Sequence, residues 1–83
     1  MLRRRLIAAN WKMHNAPHAA FIDATKNPYR EHTDFDVIVF PIVTEIEKSL
    51  HARLITGAQY GRAEHEGAFT GDISMRMLKQ LGC

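Results

Sequence analysis

The sequence has one cysteine, no long hydrophobic run and little net charge, and each of these scarcities excludes a class of protein. Cys83 has no second cysteine with which to form an internal disulfide, which fits a reducing compartment. No apolar run approaches the ~18 residues of a membrane span. The apolar run behind the basic residues 3–5 is also shorter than the ~7 residues of a signal-peptide core. We therefore expect a cytoplasmic protein with no membrane partner.

The net charge of +2 is too small to indicate a nucleic-acid partner by itself. Residues 3–5, all arginine, form a shorter cluster than the ~5 to 8 basic residues typical of such a patch. No aromatic residue is interleaved with them to stack on bases. We interpret them as a solvated lead-in that keeps the edge of the first strand from pairing with another chain. A small nucleic-acid binder is the weakest alternative.

Strand and helix signals alternate along the chain, which is 46% hydrophobic and 24% charged, as expected for a folded protein. The apolar residues 6–9 predict a strand buried on both faces, and residues 35–40 predict a second strand, which Pro41 closes. Residues 53–59 predict a third strand. A loop over residues 60–72 with three glycines follows it, and loops of this length are usually functional.

Three helices are predicted between and after these strands, each from its capping residues. The first would begin at Asn15 with Pro17 in its first turn and would end at residues 27–28, Asn-Pro. Its inward stripe comprises Ala20, Phe21 and Ala24. The second would begin with a capping box of Thr44 and Glu47 and end near His51; the third would run from Ser74 to Gly82. The βαβαβα order predicts one unit over residues 1–83, an α/β chain with a parallel sheet and right-handed crossovers.

Two polar residues follow the first strand where parallel α/β proteins usually place their ligands. Asn10 and Lys12 lie at its carboxyl end, and alternation along an extended chain puts them on one side with Trp11 on the other. An amide and an ammonium that converge in this way favour an anionic ligand.

Three motifs, in order, carry a resemblance to a known family. They are Asn-Trp-Lys-Met at residues 10–13, Gly-Ala-Gln at 57–59 and Gly-Ala-Phe-Thr-Gly-Asp at 67–72. Together they resemble the amino-terminal part of the triosephosphate isomerase family. The resemblance implies a TIM (β/α)₈ barrel, which takes ~250 residues. Eighty-three residues would hold about the first three βα units, so the barrel is not complete in this chain, which we expect to be a fragment, a truncated product or a piece that assembles with others.

The resemblance also implies the chemistry. Members interconvert dihydroxyacetone phosphate and glyceraldehyde 3-phosphate, a step of glycolysis and gluconeogenesis, without a metal or organic cofactor. On this reading Asn10 and Lys12 bind the triose phosphate, and Lys12 is catalytic because it stabilises charge on the enediolate. The family is a homodimer in which the loop after the third strand inserts beside the partner's active site. Thr70 would contact that site, Gln59 would support it, and His14 would lie at the dimer contact.

Two groups that the family needs are not expected in this chain. Its glutamate base and neutral histidine electrophile, a standard example of pKa tuning, come from later strands. The chain's histidines match neither that histidine nor a metal-binding spacing, and we interpret them as surface or loop residues; they are His14, His18, His32, His51 and His65.

Departures from the family pattern add to this. The second helix looks about one turn shorter than usual, and Asp72 replaces the usual glutamate, which should weaken any ion pair there. We therefore expect the chain to be inactive alone. The alternative is a non-catalytic interaction module that self-associates through an open sheet edge and an uncovered apolar face. The expected sources of that face are Val37, Val39, Leu54 and Ile55.

Overall fold

A computed structural model describes residues 3–21, 27–30 and 34–83. In these residues three parallel strands form one sheet in the order β1-β2-β3: β1 is Arg5–Asn10, β2 is Phe35–Phe40 and β3 is Ile55–Thr56. The same described ranges contain two 3₁₀ helices, His18–Phe21 and Val43–Glu45, and two α-helices, α1 (Ile46–His51) and α2 (Met75–Leu81). The predicted α/β architecture with an open parallel sheet is confirmed. In the described residues no helix is long and apolar enough to cross a membrane.

Strand β2 is central, and its alternating side chains divide the sheet into two faces. Arg5 pairs with Phe35 at one end of the β1–β2 ladder, and Asn10 pairs with Phe40 at the other. Val37 and Val39 point to the face that carries the core, where they are buried with Ala20 and Leu54. Val37, Val39 and Leu54 were expected to form an uncovered apolar face. This expectation is wrong for all three residues, because they are buried in the core.

Strand β1 is exposed, which corrects the prediction that it is buried on both faces. Leu6 is 61% exposed and Ile7 49% exposed. β1 is an edge strand of the open sheet, and β2 is its only neighbour in the described residues. The apolar run is typical of a strand in a sheet that is covered on both faces, whereas only one face of this sheet carries the core.

The helix caps were predicted with mixed success. Ser74 caps α2 as expected, since its Oγ accepts a hydrogen bond from the Met77 N–H at 3.0 Å. The capping box at Thr44 and Glu47 is wrong, because α1 begins after Glu45 without a side-chain cap. Thr44 lies inside the second 3₁₀ helix, and the Glu45 Oε1 instead accepts from the Ala16 N–H at 3.0 Å, tying α1 to the segment after β1.

The first predicted helix and the third predicted strand are both shorter than expected in the described residues. The 3₁₀ helix His18–Phe21 buries Ala20 as predicted, while Ala24 lies outside the described residues. β3 comprises only Ile55–Thr56 because Arg53, at φ 61°, turns the chain after α1 in a left-handed conformation that no strand can continue. Beyond the strand, the Gly57 N–H still donates to the Val39 carbonyl at 2.9 Å.

Candidate functional site

The carboxyl end of β1 holds Lys12 in an unusual backbone conformation. Lys12 has φ 53°, a left-handed value that costs a residue with a Cβ about 1–2 kcal/mol. The Asn10 Oδ1 accepts a hydrogen bond from the Lys12 N–H at 3.0 Å, a side-chain-to-backbone turn that compensates for this cost. Asn10 and Lys12 are both exposed, whereas Trp11 is half-buried and packs against the core and the Tyr29 ring. The extended chain on which the predicted alternation rests ends at Asn10, because Lys12 is left-handed.

Gln59 joins the ends of the three strands. Its Nε2 donates to the Lys12 carbonyl and to the Phe40 carbonyl, each at 2.9 Å. The Trp11 N–H also donates to the Phe40 carbonyl at 3.3 Å, which closes the gap between the ends of β1 and β2. Both backbone polar groups of Lys12 are therefore hydrogen-bonded to side chains, its N–H to Asn10 and its carbonyl to Gln59. The structure brings these three sequence-predicted residues into one group.

The loop over residues 60–72 has an internal framework of charged side chains. Arg62 pairs with Asp72 and with Glu64, each at 3.0 Å, and the Tyr60 hydroxyl donates to the Asp72 carboxylate. The backbone of Arg62 also forms a parallel β-bridge with Ser74. The aspartate at residue 72 therefore does form an ion pair, within its own loop. The sequence alone does not predict this role of Arg62, because only the fold of the loop brings Arg62 next to Asp72.

The electrostatics of this loop follow from those hydrogen bonds. Donation by Tyr60, and then by Arg62, holds the pKa of Asp72 below its usual value, and Arg62 likewise lowers the pKa of Glu64. Carboxylates with a lowered pKa favour the ordered loop above their ordinary pKa of about 4, and this contribution is lost as the pH falls through the lowered values. All of these side chains are exposed enough for salt to screen their attraction.

Two residues of the predicted site stand apart from the group at the strand ends. Thr70 lies in the loop between Phe69 and Gly71, and His14 follows the turn at Lys12; both are exposed. Within the described residues, neither makes a hydrogen bond to Asn10 or Lys12. Both residues are accessible to a second copy of the chain.

No group of three or more His, Cys, Asp or Glu side chains in residues 3–21, 27–30 and 34–83 could hold a metal ion. The group at the strand ends consists instead of one lysine and two amide residues, and both amides contact the backbone of Lys12. Lysine and amide side chains are residue types that suit an anionic organic ligand.

Comparison with known proteins agrees with this geometry. The family profile of triosephosphate isomerase matches residues 5–83. The triosephosphate isomerase of Alkaliphilus metalliredigens is 41% identical over 87 residues, covering 98% of this chain and 35% of that protein. Those of Herpetosiphon aurantiacus and Thermus thermophilus are 39% and 38% identical, each covering 99% of this chain and 35% of the relative.

The chain thus spans about a third of the length of the curated relatives that it matches. The match nevertheless runs through all three strands, the group at their carboxyl ends and the charged loop. This chain belongs to the triosephosphate isomerase family.

Proposed function

We propose that this chain supplies the amino-terminal part of a triosephosphate isomerase active site. Asn10 and Lys12 bind the triose phosphate, and the Lys12 ammonium stabilises the negative charge that develops on the enediolate during proton transfer. A compact ammonium in a site that excludes water is worth far more to a developing oxyanion than the same group in water. The complete protein interconverts dihydroxyacetone phosphate and glyceraldehyde 3-phosphate in the cytoplasm, and the reaction needs no metal or organic cofactor.

The observation that carries this proposal is the backbone of Lys12. Its left-handed φ of 53° is held by Asn10 on one side and by Gln59 on the other. Strained conformations that are fixed by several partners occur mainly at functional sites, where they aim a side chain. A solvated lysine at a strand end would need neither the strain nor the two amides.

The proposal extends to a homodimer. Thr70 of one copy would contact the Asn10 and Lys12 region of the other, Gln59 would support that region from within its own chain, and His14 would lie at the contact. The exposure of Thr70 and His14 supports this arrangement, since both residues are accessible to a partner.

The 83-residue chain alone is expected to be inactive. The resemblance assigns the family's base and electrophile to later strands than the three of this chain, and each such acid–base group typically contributes ~10² to 10⁴-fold to the rate. A coupled assay of the purified chain with glyceraldehyde 3-phosphate should give no turnover above that of buffer. Turnover at an enzymatic rate would show that these residues contain a complete site.

The proposed function itself is tested in a hybrid isomerase, in which residues 1–83 replace the matching amino-terminal third of a full-length relative. The hybrid should isomerise triose phosphates, because its remaining two thirds provide the base and the electrophile. A folded hybrid without activity would contradict the proposal and favour the non-catalytic interaction module. The relative itself, prepared in the same way, is the control.

A further inference from the structure

The tip of the loop after β3 is a tight turn with Thr70 at its first corner. The Asp72 N–H donates to the Phe69 carbonyl at 3.0 Å, which closes a four-residue turn over residues 69–72. Gly71 has φ 84°, the value that a type II turn requires at its third residue. The turn therefore fixes the backbone of Thr70 wherever Phe69 and Asp72 are fixed.

Little apolar burial holds this turn in place. The side chains of residues 63–72 are all exposed, and Phe69 is itself 39% exposed. A long loop without a buried apolar anchor usually has low local stability. Another contact must therefore hold Phe69 and Asp72.

One guanidinium contacts both ends of the turn. Arg62 Nη1 donates to the Asp72 Oδ2 at 3.0 Å, and the Arg62 guanidinium lies over the Phe69 ring, 3.9 Å from its centroid. Arg62 Nη2 and Nε donate to the two carboxylate oxygens of Glu64 at 3.0 and 3.3 Å. The guanidinium is therefore also bound to the part of the loop that precedes the turn. Bidentate pairs joined into a network are the surface ion pairs that contribute most.

The backbone of Arg62 is held independently of its side chain. Its N–H donates to the Ile73 carbonyl at 2.8 Å, and its carbonyl accepts from the Met75 N–H at 2.9 Å, at the start of α2. The Phe69 ring also lies close to Gly67, where an added Cβ would be 2.8 Å from a ring carbon. The ring is thus near both the backbone of Gly67 and the guanidinium.

From these contacts we propose that Arg62 is a positioning residue for the dimer contact: it clamps both ends of the turn at residues 69–72 and so presents Thr70 in the conformation that a second copy of the chain receives. This inference rests on the proposed function for the identity of the receiving surface. The clamp itself is a property of this chain alone. Lysine cannot replace arginine here, because an ammonium has neither the planar fork nor the stacking face.

Hydrogen exchange of the full 83-residue chain tests the clamp. In Arg62→Met the Asp72 amide should exchange about three- to tenfold faster than in the unaltered chain, while the amides of β2 exchange at the same rate. Arg62→Lys should resemble Arg62→Met rather than restore protection. Arg76→Met, at an exposed arginine on α2, is the matched control and should leave the Asp72 amide unchanged. Equal exchange in the unaltered chain and Arg62→Met, or an Asp72 amide unprotected in both, overturns the clamp.

The positioning role is tested by diluting the hybrid isomerase. The Arg62→Met hybrid should lose specific activity on dilution at concentrations where the unaltered hybrid keeps it, and should recover at higher protein concentration with an unchanged KM. A merely structural role would lower the specific activity by the same factor at every concentration, and that result, or identical dilution curves, overturns the proposal. If the unaltered hybrid is inactive, that result contradicts the proposed function instead. The hydrogen-exchange measurement then still tests whether Arg62 holds the turn.

Discussion

Two buried polar side chains, Asn27 and Ser49, differ in what their polar atoms contact. Asn27 is 2% exposed; its Nδ2 donates to the Ala20 carbonyl at 2.5 Å, and its Oδ1 accepts from the Tyr29 N–H at 2.9 Å. Ser49 is fully buried, and its Oγ has no hydrogen-bond partner within the described residues. A buried polar group stabilises a fold only when it is paired.

We therefore expect opposite outcomes from two alanine substitutions. Asn27→Ala should lower the free energy of unfolding by about 1–3 kcal/mol, because it leaves a backbone carbonyl and an amide unpaired. Ser49→Ala should leave the free energy of unfolding unchanged or raise it by up to about 1 kcal/mol, because it removes an unpaired hydroxyl. Urea-induced unfolding of the hybrid isomerase measures both. A Ser49→Ala hybrid as destabilised as Asn27→Ala would show that this hydroxyl is paired.

At this scale the sequence predicts which residues belong to the site but not how they are held. The position of Asn10 and Lys12 after an apolar strand is visible in the sequence. The left-handed backbone of Lys12 is not visible there, because glycine and asparagine are the usual signals of that conformation, whereas here a lysine adopts it with the help of side-chain hydrogen bonds. The capping box at Thr44 failed for a similar reason, since the neighbouring Glu45 is engaged by the distant Ala16 N–H.

At the scale of elements, Gln59 determines how the ends of β1 and β2 lie relative to the segment after β3. One amide group donates to two carbonyls, one on each of the neighbouring chain segments. Gln59→Glu replaces the donor by an acceptor that faces both carbonyls, and should displace Lys12. A displacement of about 1 Å can cost ~10²-fold in rate.

In the hybrid isomerase, Gln59→Glu should therefore lower kcat by more than Gln80→Glu, an exposed glutamine on α2 that serves as the control. Steady-state kinetics of the two variants provides the comparison. Equal kcat values for both variants would show that the strand ends keep their geometry without the Gln59 amide.

Elements with strong local signals were predicted well, and those set by neighbours were not. β2 has an apolar run ended by Pro41, and α2 has a serine cap and a glycine stop, so each is specified by its own residues. β3 is limited to Ile55–Thr56 because the turn at Arg53 precedes it and the sheet continues only through the Gly57 amide. The local sequence pattern predicts neither the turn at Arg53 nor the end of β3 after Thr56.

At the scale of the whole molecule, the described sheet presents an apolar edge strand. Leu6 and Ile7 on β1 and Ile55 on β3 are each more than 40% exposed. Exposed apolar edges of this kind pair with other chains. This exposure supports the predicted self-association, with its source at β1 rather than at the buried valines of β2.

The isolated 83-residue chain should therefore self-associate at tens of micromolar, and Ile7→Lys should reduce the association because it places a charge on the open strand. Met77→Lys, at a side chain on α2 that is 49% exposed, as Ile7 is, is the matched control. Light scattering of the three proteins measures the effect. A stable monomer of the unaltered chain with a cooperative melt would contradict this prediction.

The central claim, that this chain supplies the charged group on which the isomerase reaction depends, is tested most directly by Lys12 in the hybrid isomerase. If the ammonium acts on charge that develops in the transition state, Lys12→Ala lowers kcat as well as raising KM. Loss of one such contact costs ~3 to 4 kcal/mol, or roughly 10² to 10³-fold in rate. Lys12→Arg should restore binding more than turnover, since a guanidinium carries the charge at a different position. Steady-state kinetics should show this loss of kcat in Lys12→Ala; a change in KM alone would show that Lys12 only binds the substrate and would contradict the catalytic assignment.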